Sequence, residues 1–342
     1  MIEIDGAFGE GGGQIVRTAC SLSALSGRAT HIVNIRQARR EPGLRLQHLL
    51  AVRALAELCG GSVEGAEVGS RELVFRPGRM AAKEIAVQIG TAASITLIVQ
   101  CLIPAIHLTQ RTTHIVIRGG ATDTAFAPPL DYVREVFLWF LRRAGVAVNI
   151  SAAKRGYYPR GGAEVEVEIA PARPRPIIAT ERGRLKEIRV LSSAASVLKN
   201  RKVAERQIEG AVAMLGALPI APKTSIEYAS SHSAGSAMCI VAEFEKTVVG
   251  ASALGARGKM AEKVGLEAAE NFLAEFNSTG CLDRHMADQI LPYMALAPTA
   301  SRVTVTEVTE HCRTNMWVIE KFVEGRFEVE ERMIEWSPAR TE

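Results

Sequence analysis

The chain has 342 residues, 47% apolar and 23% charged, with a formal net charge of +4 and a pI near 8.8. That length predicts about two domains with a substantial core, and the composition is that of an ordinary soluble globular protein. The six cysteines, at 20, 59, 101, 239, 281 and 312, include no C-x-x-C pair, which argues against structural zinc and against a disulfide framework. The start, Met1-Ile2-Glu3-Ile4-Asp5-Gly6, carries acids where a signal peptide needs a basic, then apolar, run. Apolar stretches such as Ile95 to Ile106 are interrupted by Thr96, Gln100 and Pro104, too short to span a bilayer. The expectation is a cytoplasmic protein.

In chain order, Met1–Asp5 reads as a strand, Gly12–Ser26 as a helix, Thr30–Arg36 as a strand and Leu44–Leu58 as a helix closed by Gly60-Gly61. Strands at Ser62–Val68 and Glu72–Phe75 follow. The same order then returns: strand Glu84–Ile89, helix Ala93–Cys101, strand Thr113–Ile117, helix Leu130–Arg143, strands Val146–Ser151 and Ala163–Ile169. Thr30-His31-Ile32-Val33 recurs as Thr113-His114-Ile115-Val116, 83 residues later.

A third copy reads as split, with a strand near Ile177–Thr180. Its remainder is helix Asp283–Leu296, strand Arg302–Val308, helix Thr314–Val323, and strands Phe327–Glu331 and Met333–Trp336. Between them lies a self-sufficient pattern of strand Lys186–Leu191, helix Arg201–Leu215, strands Ile226–Ala229 and Met238–Phe244, and helix Lys259–Phe276. The expected fold is therefore α+β, built of α/β repeats. Three βαβαββ units pack their helices together over residues 1–182 and 281–342, and a smaller α+β domain, 183–280, is inserted in the third.

Three segments carry candidate chemistry. Gly9-Glu10-Gly11-Gly12-Gly13-Gln14 joins the first strand to the first helix, where a bare backbone at a helix start favours an anion. It lacks the Gly-Lys-Ser/Thr of a P-loop and the third glycine of a dinucleotide fingerprint. A tight turn would explain one or two of these glycines, and Glu10 among them suits a magnesium or manganese ion against phosphate.

Next, Arg36-Gln37-Ala38-Arg39-Arg40-Glu41-Pro42-Gly43-Leu44-Arg45-Leu46-Gln47-His48 places four arginines within ten residues at a strand end. It reads either as a solvated charged turn or as a bidentate phosphate site that Arg17 could join. With aromatics at only 5%, the composition argues against a stacking platform for long single strands and predicts a short polymer contact.

Last, Glu310-His311-Cys312-Arg313-Thr314-Asn315 lies between a strand and a helix. A loop His beside a cation at a helix start can mark a site, but His311 alone reads first as a polar surface group, and Cys312 lacks a separate base. Asp123 and Asp288 read as N-caps.

Together these segments resemble the RNA 3′-terminal phosphate cyclase family. Asp5-Gly6-Ala7 running into Gly9 to Arg17 is similar to its N-terminal signature, and Arg36 to His48 to its second block. Tyr158-Pro159-Arg160-Gly161-Gly162 is similar to its glycine motif, and Ala287-Asp288-Gln289 and His311 with Thr314-Asn315 to its C-terminal motifs.

The resemblance implies that His311 becomes linked to AMP and that Glu10 holds the metal. Arg17, Arg36, Arg39 and Gln47 would bind phosphate. Gln100, His285, Met286, Ala287, Asp288 and Gln289 would bind the nucleotide, although His285 stands where the relatives carry an aromatic. ATP, magnesium or manganese, and RNA with a 3′-phosphate are the implied ligands. A 2′,3′-cyclic phosphate, AMP and diphosphate are the products, formed through an RNA-adenylate.

One branch of the family lacks the nucleophilic histidine and serves as a non-catalytic ribosome-assembly factor. His311 and Glu10 favour the enzyme here. A carboxyvinyl transferase of similar units would need twice as many complete units.

Overall fold

Alternating burial shapes the first strand, β1 (Ile2–Asp5), which turns Ile2 and Ile4 inward and leaves Glu3 and Asp5 exposed. The computed structural model describes residues 1–80, 84–106 and 109–339. β1 pairs in parallel with β2 (Thr30–Val33). β3 (Ser62–Glu64) and β4 (Leu73–Arg76) add antiparallel, in the order β1-β2-β4-β3. β5 (Glu84–Ser94), β6 (Thr113–Ala121), β7 (Val148–Lys154) and β8 (Glu164–Ile169) repeat this pattern as β5-β6-β8-β7, with β5 and β6 parallel.

β9 (Ile178–Ala179) starts another sheet, but β10 (Leu185–Ala195), β11 (Lys223–Ala229), β12 (Ser236–Phe244) and β13 (Val248–Leu254) intervene and form their own, ordered β11-β10-β12-β13. β14 (Ser301–Thr304), β15 (Gly325–Glu330) and β16 (Met333–Pro338) then complete the sheet of β9, with β9 parallel to β14.

Helices α1 (Gly13–Ser26), α2 (Leu46–Cys59) and α3 (Ile95–Ile106) pack against one another. A helical run follows as α4 (Leu130–Tyr132), a π turn at Val133–Phe137, and α5 (Leu138–Arg143). α6 (Val203–Leu215) and α7 (Ala261–Phe276) cover β10, β12 and β13. α8 (Arg284–Ala295) and α9 (Glu310–Glu320) join the first group, α9 against α1 and α8 against α3. One apolar core runs from Ile2 to Trp336, and a second, from Ile188 to Phe272, lies under α6 and α7. None of the described helices is long and apolar enough to cross a membrane.

Several boundaries move for identifiable reasons. The strand expected over 30–36 ends at Val33 because Asn34 and Arg36 are left-handed, with φ of 52° and 53°. The strand expected over 62–68 stops at Glu64, before Gly65 at φ 71°. The last helix begins at Glu310 instead of Thr314, because the Thr309 side chain accepts from the Cys312 N–H as its N-cap. β13 was not anticipated. Gly250, Ala251, Ser252 and Ala253 are poor strand formers, and Gly250 is there because a Cβ would lie 2.6 Å from Val136 Cγ2.

Candidate active site

The glycine turn is shaped by what presses on it. Gly9 is left-handed (φ 55°), and a Cβ there would lie 2.4 Å from Thr314 Oγ1 of α9. A Cβ on Gly13 would lie 1.9 Å from His48 Nε2 of α2. The turn is thus clamped between α9 and α2, and the Glu10 N–H donates to Thr314 Oγ1 at 3.3 Å.

This clamp brings the first and last parts of the chain together. His311 Nε2 lies 2.7 Å from Glu10 Oε2, and Arg39 donates to Glu10 Oε1 at 2.7 Å. The other ring nitrogen of His311, Nδ1, faces Asp288 Oδ2 at 3.6 Å. The His311 carbonyl accepts from Gln14 Nε2 at 2.8 Å. The imidazole therefore sits between two carboxylates in the first turn of α9. Asp288 raises its pKa above the ordinary histidine value and Glu10 adds to this, while burial and Arg17 oppose it. His311 therefore holds its proton more tightly than free imidazole does.

Beside it, a cavity of about 60 Å³ is lined by Gln14, Arg17, Gln100, Asp288, Gln289 and Asn315, among others. Gln100 is the one residue of α3 that is not buried, and it donates to Gln289 Oε1 at 2.6 Å. The Arg17 side chain forms no hydrogen bond or ion pair among the described residues, although the residue's carbonyl accepts from Cys101 Sγ at 3.4 Å. Burial depresses its pKa, opposed by Cys101 and Asp288. Buried Gln14 Oε1 and Ser21 Oγ also lack a partner among the described residues. The wall thus offers a guanidinium fork and neutral acceptors, suited to an anionic ligand that also carries N–H or O–H groups.

Other expected residues fall elsewhere. Arg36 donates to the Glu41 and Gly43 carbonyls at 2.8 and 3.0 Å, so its fork fastens its own loop. Gln47 is half-buried in the first turn of α2, outside the cavity lining. On α8, helical spacing puts His285, Asp288, Gln289 and Pro292 on one face, while Met286 and Ala287 are fully buried in the core. His285 is exposed, and its carbonyl accepts from Gln289 Nε2. Asp288 is inside the helix; the N-cap is Asp283, which accepts from the His285 and Met286 N–H groups. Asp123 does receive a helix-start N–H, that of Leu130.

The sequence reading missed Thr18, whose hydroxyl donates to Asn315 Oδ1 at 2.7 Å, and Asp283; the spacing of Thr18 from Gln14 was the available clue. Cys312 is fully buried, and burial pushes its thiol up to about 12, so it is no nucleophile.

The profile of the family described as RNA 3′-terminal phosphate cyclase matches residues 8–329. Proteins named RNA 3′-terminal phosphate cyclase align along nearly the whole chain. That of Pyrococcus abyssi is 41% identical over 331 residues, covering 96% of this chain and 95% of the relative. That of Pyrobaculum neutrophilum is 44% identical over 332 residues, with 96% and 95% covered. That of Methanopyrus kandleri is 42% identical over 350 residues, with 100% and 98% covered.

Proposed function

Because this chain belongs to the RNA 3′-terminal phosphate cyclase family, we propose that it converts an RNA 3′-phosphate end to a 2′,3′-cyclic phosphate at the expense of ATP. In this reading His311 Nε2 attacks the α-phosphorus of ATP and diphosphate leaves. An oxygen of the RNA 3′-phosphate then attacks that phosphorus and the imidazole leaves, giving an RNA-adenylate. The neighbouring 2′-hydroxyl attacks the RNA phosphorus and AMP leaves. The last step needs little help, since intramolecular attack has effective molarities of about 10⁵ M or more.

The observation that carries the reading is the contact of His311 Nε2 with Glu10 at 2.7 Å, with Asp288 on the ring's far side. Glu10 stands where it can take the Nε2 proton before attack, and Asp288 keeps Nδ1 protonated and the ring oriented. Arg17 and Arg39 offset the phosphate charge, and Gln100, Gln289 and the exposed His285 hold the nucleoside end.

The donor set fits magnesium or manganese. No three His, Cys, Asp or Glu side chains form a cage among the described residues, and one carboxylate with substrate phosphate oxygens is an ordinary arrangement for such ions. Glu10 would hold the ion, which would supply charge neutralisation at the phosphates. We assign the chemistry to residues 1–182 and 281–342 and treat 183–280 as an insert, which its separate core supports. Six buried free thiols suit the reducing cytoplasm.

Incubation with α-labelled ATP and a divalent ion tests this. The wild type and Cys312→Ala should acquire acid-labile label and His311→Asn none. Label retained by His311→Asn would end the assignment.

A further inference from the structure

We infer that the exposed rings of Phe126 and Tyr158, with the cations around them, form a stacking path for the RNA nucleotides just upstream of the reacting end. The word upstream rests on the function proposed above; the path itself rests on the following geometry.

Asp123 and Tyr157 are bridged in parallel, and the chain leaves both points in the same direction. The bridged pair is buried, at 3% and 2% exposure, while Phe126 is 100% and Tyr158 74% exposed. Among the described residues neither ring stacks on another or meets a cation, so neither packs for stability. Both are nonetheless held. Asp123 Oδ1 accepts from the Leu130 N–H at 3.2 Å, and the Pro128 carbonyl accepts from Thr96 Oγ1 at 2.8 Å, bracketing Phe126. Arg160 N donates to Ser233 Oγ at 3.1 Å, fixing the turn after Tyr158. Phe126 is left-handed, with φ of 62°, a conformation that disfavours a bulky side chain. A strained, water-facing phenylalanine on an anchored loop is costly unless something covers it.

The place and the charge say what covers it. Thr96, which holds this loop, precedes Gln100 of the cavity wall by one helical turn, roughly 6 Å. The anchor of the Phe126 loop therefore lies one helical turn from the cavity wall. On the other side, the Lys154 ammonium meets only His232, at 2.9 Å, and the Arg160 side chain forms no ion pair among the described residues. Tyr157 packs against Gly235, whose carbonyl accepts from Ala195, and there the exposed turn Ser196–Arg201 begins, bringing Lys199 and Arg201. One mononucleotide would need a single base site. Two rings on turns that leave one bridged pair, flanked by cations without an ion pair among the described residues, match a single strand that stacks its bases and neutralises its backbone.

Anisotropy with 5′-labelled RNAs of two and eight nucleotides, each ending in a 3′-phosphate, reads the path. The wild type should bind the longer RNA at least tenfold more tightly. Phe126→Gly and Tyr158→Ala should each weaken the longer RNA about tenfold and the dinucleotide hardly at all, while Tyr158→Phe retains affinity. Phe126→Gly, freed of its backbone strain, should also melt at a higher temperature, which separates lost binding from lost folding. Wild-type affinity that ignores length, or an undiminished Phe126→Gly/Tyr158→Ala double variant, would overturn the path. A raised KM for ATP in RNA-free label transfer by that double variant would do the same, because it would assign the rings to the nucleotide. A wild type that prefers long RNA through both rings yet takes no label from ATP would sink the proposed reaction alone.

Discussion

The carbonyl of Asp288 accepts a hydrogen bond from the Asn315 side chain at 2.9 Å because Pro292, four residues on, has no N–H to give it. Asn315 in turn accepts from Thr18, so three helices, α1, α8 and α9, meet at the backbone of the residue that faces His311. Asn315→Ala should cost roughly 1–3 kcal/mol by leaving that partly buried carbonyl unpaired. Pro292→Ala restores a helical donor, so the same loss should be smaller in that background. Urea unfolding of the four proteins measures the coupling, and strict additivity would refute this account.

His311 should titrate above the ordinary value of about 6.5 in the nucleotide-free protein. A histidine raised by its partners contributes stability below the unfolded value, and that contribution is lost as pH rises through the folded one. Asp288→Asn should lower the midpoint, with Glu10→Gln a smaller change in the same direction. Label transfer from ATP, which needs the neutral ring, should accordingly begin at lower pH in Asp288→Asn. NMR of the imidazole protons checks the midpoints, and one that is unmoved in Asp288→Asn would contradict the assignment.

His48 runs the other way. Burial, reinforced by Arg17, Arg36 and Arg45, depresses it to about 3. Its Nδ1 accepts from the Arg45 N–H while its Nε2 edge fills the space beside Gly13. Below about pH 6.5 the unfolded chain takes up a proton that the folded chain refuses, so stability falls with acid across that window, by roughly 4 kcal/mol at pH 3. Denaturant titrations between pH 7 and 4.5 should show a flatter slope for His48→Gln. An unchanged slope would mean that other groups carry the acid sensitivity.

Arg155 is 1% exposed and serves three carboxylates: Asp123 at 3.3 Å, Asp131 at 2.6 Å and Glu227 at 2.6 Å. Burial opposes its charge, yet Asp123 and Asp131 hold its pKa above the ordinary value. Arg155→Met would leave buried carboxylates without a cation, at about 3–5 kcal/mol. Because Glu227 lies on β11 and the other two acids lie outside that sheet, limited proteolysis of the variant should cut first within 183–280. A variant as stable and as resistant as the wild type would show the cluster to be energetically idle.

Much of this was legible in the sequence because it was local. Four glycines with one acid announced a backbone site, and Gln100 stood out as the lone amide in the apolar run from Ile95 to Ile106. Resemblance marked His311 and Glu10 separately, but their pairing was not legible, since they lie 301 positions apart and no periodicity links them. The role of Asn315 was hidden, because it depends on a carbonyl that Pro292 leaves open in another helix. Phe126 and Tyr158 were hidden by composition: few aromatics argued against stacking, yet two placed at one junction suffice to test it.

β12 is buried along almost its whole length because Met238, Ile240 and Ala242 face one core while Cys239 and Val241 face the other. A single ribbon is therefore shared by two interiors. Heat should dissolve both in one calorimetric transition, and a chain cut back to 1–182 and 281–342 would lay bare the apolar side of Val136. The intervening ninety-odd residues act as a roof on the rest of the molecule, and pruning them would cost solubility.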